Sequence, residues 1–272
     1  MTTITTTATR PADRPIRLTQ ARVAYSEWIK LRSLRSTWWT LSIFAITTIG
    51  LGVLLSSLAA AHISKGHHLT AGQLVTLSLY GAYIAPLTIG VLGALTATGE
   101  YMTGMIRASL TAVPTRLPVL WAKLAMFALV GLIVSEITVF LTFGIGMTIL
   151  GHVGAGVSIS QPGVLRTVAG TGLYLMLTGL FGLAIGAVVR NTAVAISALA
   201  GIMLVLPVLT NLLPATWAEH FARYLPSNAG QAILAVQHTS GSLAPWTGLA
   251  LFACYIAVIV AGAAVLLKRR DA

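Results

Sequence analysis

The sequence predicts an all-α integral membrane protein with six transmembrane helices, and three observations lead there. Of its 272 residues 56% are hydrophobic and only 8% are charged, where soluble domains carry roughly 25% charged residues; mean hydropathy is +0.87. Cutting the chain at charges and at Pro/Gly clusters leaves six apolar runs: Trp38 to Ala61, Thr76 to Thr98, Trp121 to Leu150, Val164 to Val189, Ala193 to Leu213 and Trp246 to Leu267. Each is long enough for a helix across a hydrocarbon core of about 30 Å, which takes about 20 residues. With the N-terminus inside, fourteen of the 17 Lys and Arg fall on the inner side, leaving Lys65, Arg166 and Arg223 outside. That asymmetry predicts cytoplasmic termini and a plasma-membrane protein.

The net charge of +11 is therefore read as topology and attraction to anionic lipid, with no nucleic-acid partner. Residues 1–17 are Thr-rich and aperiodic, a disordered cytoplasmic tail; residues 18–272 form one six-span domain. From Leu18 a helical period appears, with Ala21, Tyr25, Trp28 and Leu31 on one face and Arg22, Ser26, Glu27, Lys30 and Ser33 mostly on the other. This describes an amphipathic helix on the inner leaflet, with Trp38 and Trp39 anchoring the turn into the membrane. The first apolar run exceeds the roughly 15 residues of a signal-peptide core, so the Ala59/Ala61 pattern after it reads as part of an uncleaved anchor.

The second run contains Pro86 among Gly81, Gly90 and Gly93, predicting a kink and close packing on a neighbour. The third is about 30 residues long and must tilt or protrude. Glu136 sits at its middle. A carboxylate there costs about 2.5–3.5 kcal/mol on the insertion scale, so it faces the bundle or water, either as a cavity-lining, proton-sensitive group or as a structural carboxyl. Gly182 and Gly186 in the fourth run form a small-xxx-small pair. Arg190 and Asn191 make a tight inner turn, and Pro207 predicts a kink in the fifth run. Before the last run, Trp217 to Tyr224 and, after a Ser227-Asn228 cap, Ala229 to Val236 read as two short interfacial or re-entrant helices. Ala253, Ala257 and Ala261 make a packing stripe on the final span, and Cys254, the sole cysteine, is read as a packing residue. All six histidines fall on the predicted outer face, as polar residues excluded from the spans or as an external pH sensor.

The one long polar interruption is Gly99 to Lys123. It opens with Glu100, turns at Gly104, and sets Met102, Ile106 and Leu110 at helical spacing against Arg107 and Ser109. It breaks at Pro114 and Pro118 and ends on Trp121 and Lys123, a short helix across the cytoplasmic ends of two spans. An acid, a Thr-Gly, the run "IRASLTAVPTR" and a Lys at the head of the next span resemble the coupling segment of type-two ATP-binding-cassette export permeases. "EWIKLRSLRSTWW", "FGLAIGAVVRNTA" and "YLPSNAGQAI" resemble actinobacterial members of that class.

The resemblance implies a permease subunit that works with a second copy or homologue and docks on a separate ATPase subunit. Docking would use Glu100, Tyr101, Thr103, Gly104, Ile106 and Arg107, and the interfacial residues Tyr25, Glu27, Trp28 and Lys30 would contact the ATPase or only anchor the helix in lipid. It also implies that ATP and Mg are bound by the partner, since the chain has no Walker-type sequence and so no cofactor of its own. Few charges in the spans favour an amphiphilic, lipid-like or drug-like substrate. The alternative is a non-transporting six-helix protein in an immunity or scaffold role. No paired acids or Ser-His pair at matched depth point to an intramembrane enzyme.

Overall fold

A computed structural model describes residues 20–102, 117–210, 212, 221–237 and 241–269. Regular structure among them is helical throughout: α1 (Gln20–Ser33), α2 (Arg35–Ile63), α3 (Ala71–Ser78), α4 (Gly81–Met102), α5 (Leu117–Gly151), α6 (Val164–Val189) and α7 (Thr192–Ala200). A π-helical turn, Gly201–Val205, leads into α8 (Leu206–Thr210); α9 (Pro226–Gln231) and a 3-10 turn, Ala232–Leu234, precede α10 (Pro245–Arg269). Six spans are long and apolar enough to cross a membrane, with α3 and α4 together making the second and α7 to α8 the fifth. Five of the six apolar runs lie wholly on these spans; the fifth, Ala193 to Leu213, runs past Thr210, and Asn211 and Leu213 lie outside the described residues. The tail 1–17 and most of the predicted coupling helix lie outside the described residues.

Helix α6 is the axis of the bundle, most buried of the spans, because its small residues let neighbours approach. A methyl group on Gly93 would overlap the Gly179 carbonyl, and one on Gly182 the Gly90 carbonyl, so α4 and α6 cross backbone to backbone. Gly186 is less tightly placed, 2.9 Å from its built Cβ to the Ala94 carbonyl. On the opposite side of α6, the segment Pro226–Leu234 wedges in against α10. Ile233 fills the notch at Gly170, Gly230 rests on Tyr174 and Phe252, and Gly248 leaves room for the Ala229 carbonyl. Ser227, Ala229, Gly230, Ile233 and Leu234 are buried. The stretch is thus packed within the protein, while 213–220 lie outside the described residues.

Several local expectations are corrected. The second span breaks at Leu79–Tyr80, before Pro86, where Tyr80 N–H turns to the Leu77 carbonyl and Tyr83 N–H to the Tyr80 carbonyl. There the Gly81 backbone lies directly on the Thr48 backbone of α2, and Pro86 is carried inside α4. The Thr70-x-x-Gln73 sequence forms a capping box that starts α3 earlier than the apolar run suggested. At Pro207 the irregularity is the π turn, with Leu206 N–H reaching back to the Gly201 carbonyl. The wider turn accommodates a ring that would otherwise meet the carbonyl four residues earlier. The cap of α9 is Leu225 with Pro226 at the first helical position; Ser227 and Asn228 lie within its first turn. On α10 Phe252, Ile256 and Val260 form the buried face; Cys254 is exposed, and Ala253, Ala257 and Ala261 line a groove shared with α5 and α6.

Helix α5 has 35 residues, about 52 Å at 1.5 Å per residue, so it projects beyond the membrane core. Its first turns carry Trp121 and Lys123 and meet α1, where Val23 packs on Val119 and Ala122.

Candidate functional site

The polar chemistry of the described residues concentrates where α1, the last turn of α4 and the first turns of α5 meet. Helix α1 turns into α2 at Leu34, and the Trp38 indole N–H donates to the Arg32 carbonyl at 3.0 Å, closing the corner. That corner lays α1 against the bundle by a stripe of Val23, Glu27, Lys30 and Leu31, while Tyr25 and Trp28 point outward. The orientation differs from the face predicted for a lipid-surface helix. The charged pair Glu27 and Lys30 faces the protein, because it finds partners on α4 and α5 that no single-helix pattern reveals.

Those partners close a ring of four charges. Lys30 Nζ donates to Glu27 Oε1 at 2.6 Å and to Glu100 Oε1 at 2.8 Å. Lys123 Nζ donates to Glu27 Oε2 at 2.9 Å, to Glu100 Oε1 at 2.8 Å and to the Thr96 carbonyl at 3.3 Å. Glu27 is 3% exposed and Glu100 7%. Two carboxylates so deeply placed require compensating cations, and the ring supplies two, leaving it neutral. Burial alone would lower the Lys30 pKa; its hydrogen bonds to Glu100 and Glu27 together outweigh that and hold it above the usual lysine value.

The last turn of α4 is also tied from the α6 to α7 turn. Arg190, at a left-handed φ of 59°, sets its guanidinium 5.2 Å from the centre of the Tyr101 ring. Asn191 caps α7 by accepting from Val194 N–H at 3.2 Å, and Thr192 Oγ1 donates to Thr98 Oγ1 at 2.8 Å. Four elements thus converge on Thr96 to Met102, the root of segment 103–116. Of the predicted docking residues, Glu100 and Tyr101 are here; Thr103, Gly104, Ile106 and Arg107 lie outside the described residues. Beside the ring is a cavity of about 200 Å³, lined by Leu31, Leu34, Leu95, Gly99, Glu100 and Phe127 among others.

Glu136 is elsewhere, with its carboxylate in the notch that Gly172 leaves on α6. Neighbouring Ser135 and Thr138 are buried. The carboxylate is placed toward the bundle as expected, but its Oε2 is buried with no hydrogen-bond partner, and no other acid joins it among the described residues. His62, His67, His68 and His152 are exposed, and no group of three metal-ligating side chains occurs among the described residues; His220 and His238 lie outside them. Sequence reasoning missed Lys123 and Arg190 as site residues, taking them for topology markers. The available signal was the scarcity of acids: with only six Asp and Glu in the chain, the two beside the inner ends of predicted spans needed cations nearby.

No protein-family model and no curated protein matches the chain.

Proposed function

We propose that this chain is the membrane-spanning permease subunit of an ATP-driven exporter, paired with a second permease copy or homologue. It would move an amphiphilic, lipid-like or drug-like substrate across the plasma membrane with both termini cytoplasmic. ATP and Mg would be held by a separate ATPase subunit docking on segment 103–116 and on α1. The observation that carries the reading is the convergence of α1, α4, α5 and the α6 to α7 turn on the root of that segment. A displacement imposed on 103–116 by a partner would be passed through Glu100 and Lys123 into two spans at once, and through Arg190 into a third and fourth. A rigid polar linkage suits force transmission, since ion pairs in a dry site hold a fixed geometry. The resemblance of the motifs around Glu27, Glu100 and Arg190 to export permeases supports the same reading.

The test is reconstitution in vesicles with an ATPase subunit of the ATP-binding-cassette class, chosen from the reading frames that neighbour this chain's own. Stimulated ATP hydrolysis with movement of a fluorescent amphiphile is expected, and Glu100→Gln should leave hydrolysis but lower transport. A chain that neither binds nor stimulates that ATPase would overturn the proposal and favour the immunity or scaffold alternative.

A further inference from the structure

We infer that a groove on the outside of the bundle, between α5 and α10, holds an acyl chain of an anionic glycerophospholipid from the leaflet on the ion-ring side. Its walls include Trp121 and Ala125 on α5 and Ala257 and Ala264 on α10, and its floor is Leu177 and Leu180 on α6. Small side chains on both walls leave that floor half-exposed. Apart from the Trp121 indole N–H, every lining side chain is hydrocarbon.

The dimensions choose between a lipid and a helix. On α10 the lining runs from Ala253 to Ala264, about 16 Å at 1.5 Å per residue, which is one leaflet of a hydrocarbon core about 30 Å thick. A volume of about 670 Å³ over that length leaves a section of about 40 Å², half the roughly 80 Å² of a helix whose side chains give it a diameter of about 10 Å. A helix from a second copy would lie across the groove and leave its floor without partner atoms. Flexible hydrocarbon reaches the floor and restores those contacts.

The groups at one end name the head. Ala264 is the last lining residue on α10, and Lys268 stands four residues on, one turn farther along the same face. Lys268 and Arg269 are exposed, and neither pairs with an acid among the described residues. In the sequence only Asp271 adjoins them, against Lys268, Arg269 and Arg270. Glu27 and Glu100, at the same end of the bundle, are already engaged by Lys30 and Lys123. On the opposite wall at that end, Trp121 is 52% exposed and brings a donor and no acceptor. A head lying over Lys268 and Trp121 therefore meets a cation and a neutral donor, which suits phosphate oxygens. The surplus of positive charge favours a lipid whose phosphate is not neutralised by an ammonium of its own.

The experiment uses the full chain in nanodiscs, without any ATPase, so its outcome is independent of transport. The probe is a trace of phosphatidylglycerol with a diazirine midway along one acyl chain, photolysed and mapped by mass spectrometry. Labelling is expected at Leu177, Leu180 or Ala257. It should be about fivefold stronger when the bulk lipid is phosphatidylcholine than when it is phosphatidylglycerol, the preference expected from one lysine at the membrane surface. Lys268→Gln should remove that preference, and Arg269→Gln, on another face of α10, should keep it. Ala257→Phe fills the groove and should abolish labelling of the floor, whereas Val258→Phe, at a position 70% exposed, should leave it unchanged. Ala125→Phe makes the same test from the α5 wall if Ala257→Phe does not fold. Labelling of Ile43, Leu129 and Val258 as strong as that of the floor would show annular lipid only and overturn the site. Equal labelling in the two bulk lipids would overturn the assignment of the head. Disulfide formation between copies carrying Ala257→Cys, with Cys254 replaced by serine, would put a second copy on the groove in place of lipid.

Discussion

Replacing Lys123 with methionine tests whether the ion ring, rather than apolar contact, fixes α1 to the bundle. The substitution keeps the side chain's approximate bulk and removes three donor contacts, to Glu27, Glu100 and the Thr96 carbonyl. Two carboxylates then share Lys30, and one negative charge is left in a site where Glu27 and Glu100 are 3% and 7% exposed. Removing one partner from a buried ion pair costs about 3–5 kcal/mol, so the population with α1 detached should rise by roughly two to nearly four orders of magnitude, at about 1.4 kcal/mol per tenfold. Lys30→Met should cost less. The Lys30 side chain is 24% exposed against 12% for Lys123, and Lys123 would still join Glu27 on α1 to Glu100 on α4. A spin label at Tyr25→Cys, in a chain where Cys254 is replaced by serine, reports release of α1 as increased mobility. The decisive comparison is the double variant Glu27→Gln with Lys123→Met. It restores neutrality, with Glu100 facing Lys30, and should hold α1 better than Lys123→Met alone, a coupling of about 1–3 kcal/mol. If the double variant is additive, or if Lys30→Met and Lys123→Met are equal, the charges are not what holds α1 and the reasoning fails.

Two further predictions follow from the packing and the titration of the same structure. Gly182→Val should abolish monodisperse protein on size exclusion, because its Cβ would overlap the Gly90 carbonyl and neither backbone can yield; Gly144→Val, in open space on α5, should be tolerated. Because the folded-state pKa of Lys30 is raised above 10.5, its contribution is complete below the unfolded value and is lost only as pH climbs through the folded one. Mobility of the Tyr25 label should therefore stay flat from about pH 7 to about pH 10 and increase above that; an increase already near pH 8 would contradict the direction of the shift.

The spans were legible because composition and length suffice to recognise them. Close packing of α4 and of α6 was legible from their glycines three and four apart, but that they pack on each other was not. Helix α1 was legible as a helix but not in its orientation. A hydrophobic period assumes that charges seek water, and Lys123, the residue that turns Glu27 inward, lies 96 positions away in sequence. Pro207 signalled a disturbance without specifying its form, whereas Pro86 is carried inside α4 and does not mark where the second span breaks. At Pro207 the chain widened by a π turn, while near Pro86 the break fell at the close approach of Gly81 to Thr48. The Thr70 capping box was visible as residues, but it lay within a polar loop where no helix was being sought.

An ion ring is a poor choice if stability alone is wanted, because well-packed apolar side chains of similar volume often serve as well or better in place of buried ion pairs. What it supplies is directionality. Apolar contact between α1 and α5, as at Val23 and Val119, tolerates sliding, whereas four charges on three helices are satisfied in one register. Moving any one helix by more than a hydrogen-bond length leaves a buried charge uncompensated, so small displacements are resisted and larger ones release α1 altogether. Such a response, rigid and then abrupt, is what the coupling proposed above for segment 103–116 would need, and a ring on the last turn of α4, at the root of that segment, is placed for it.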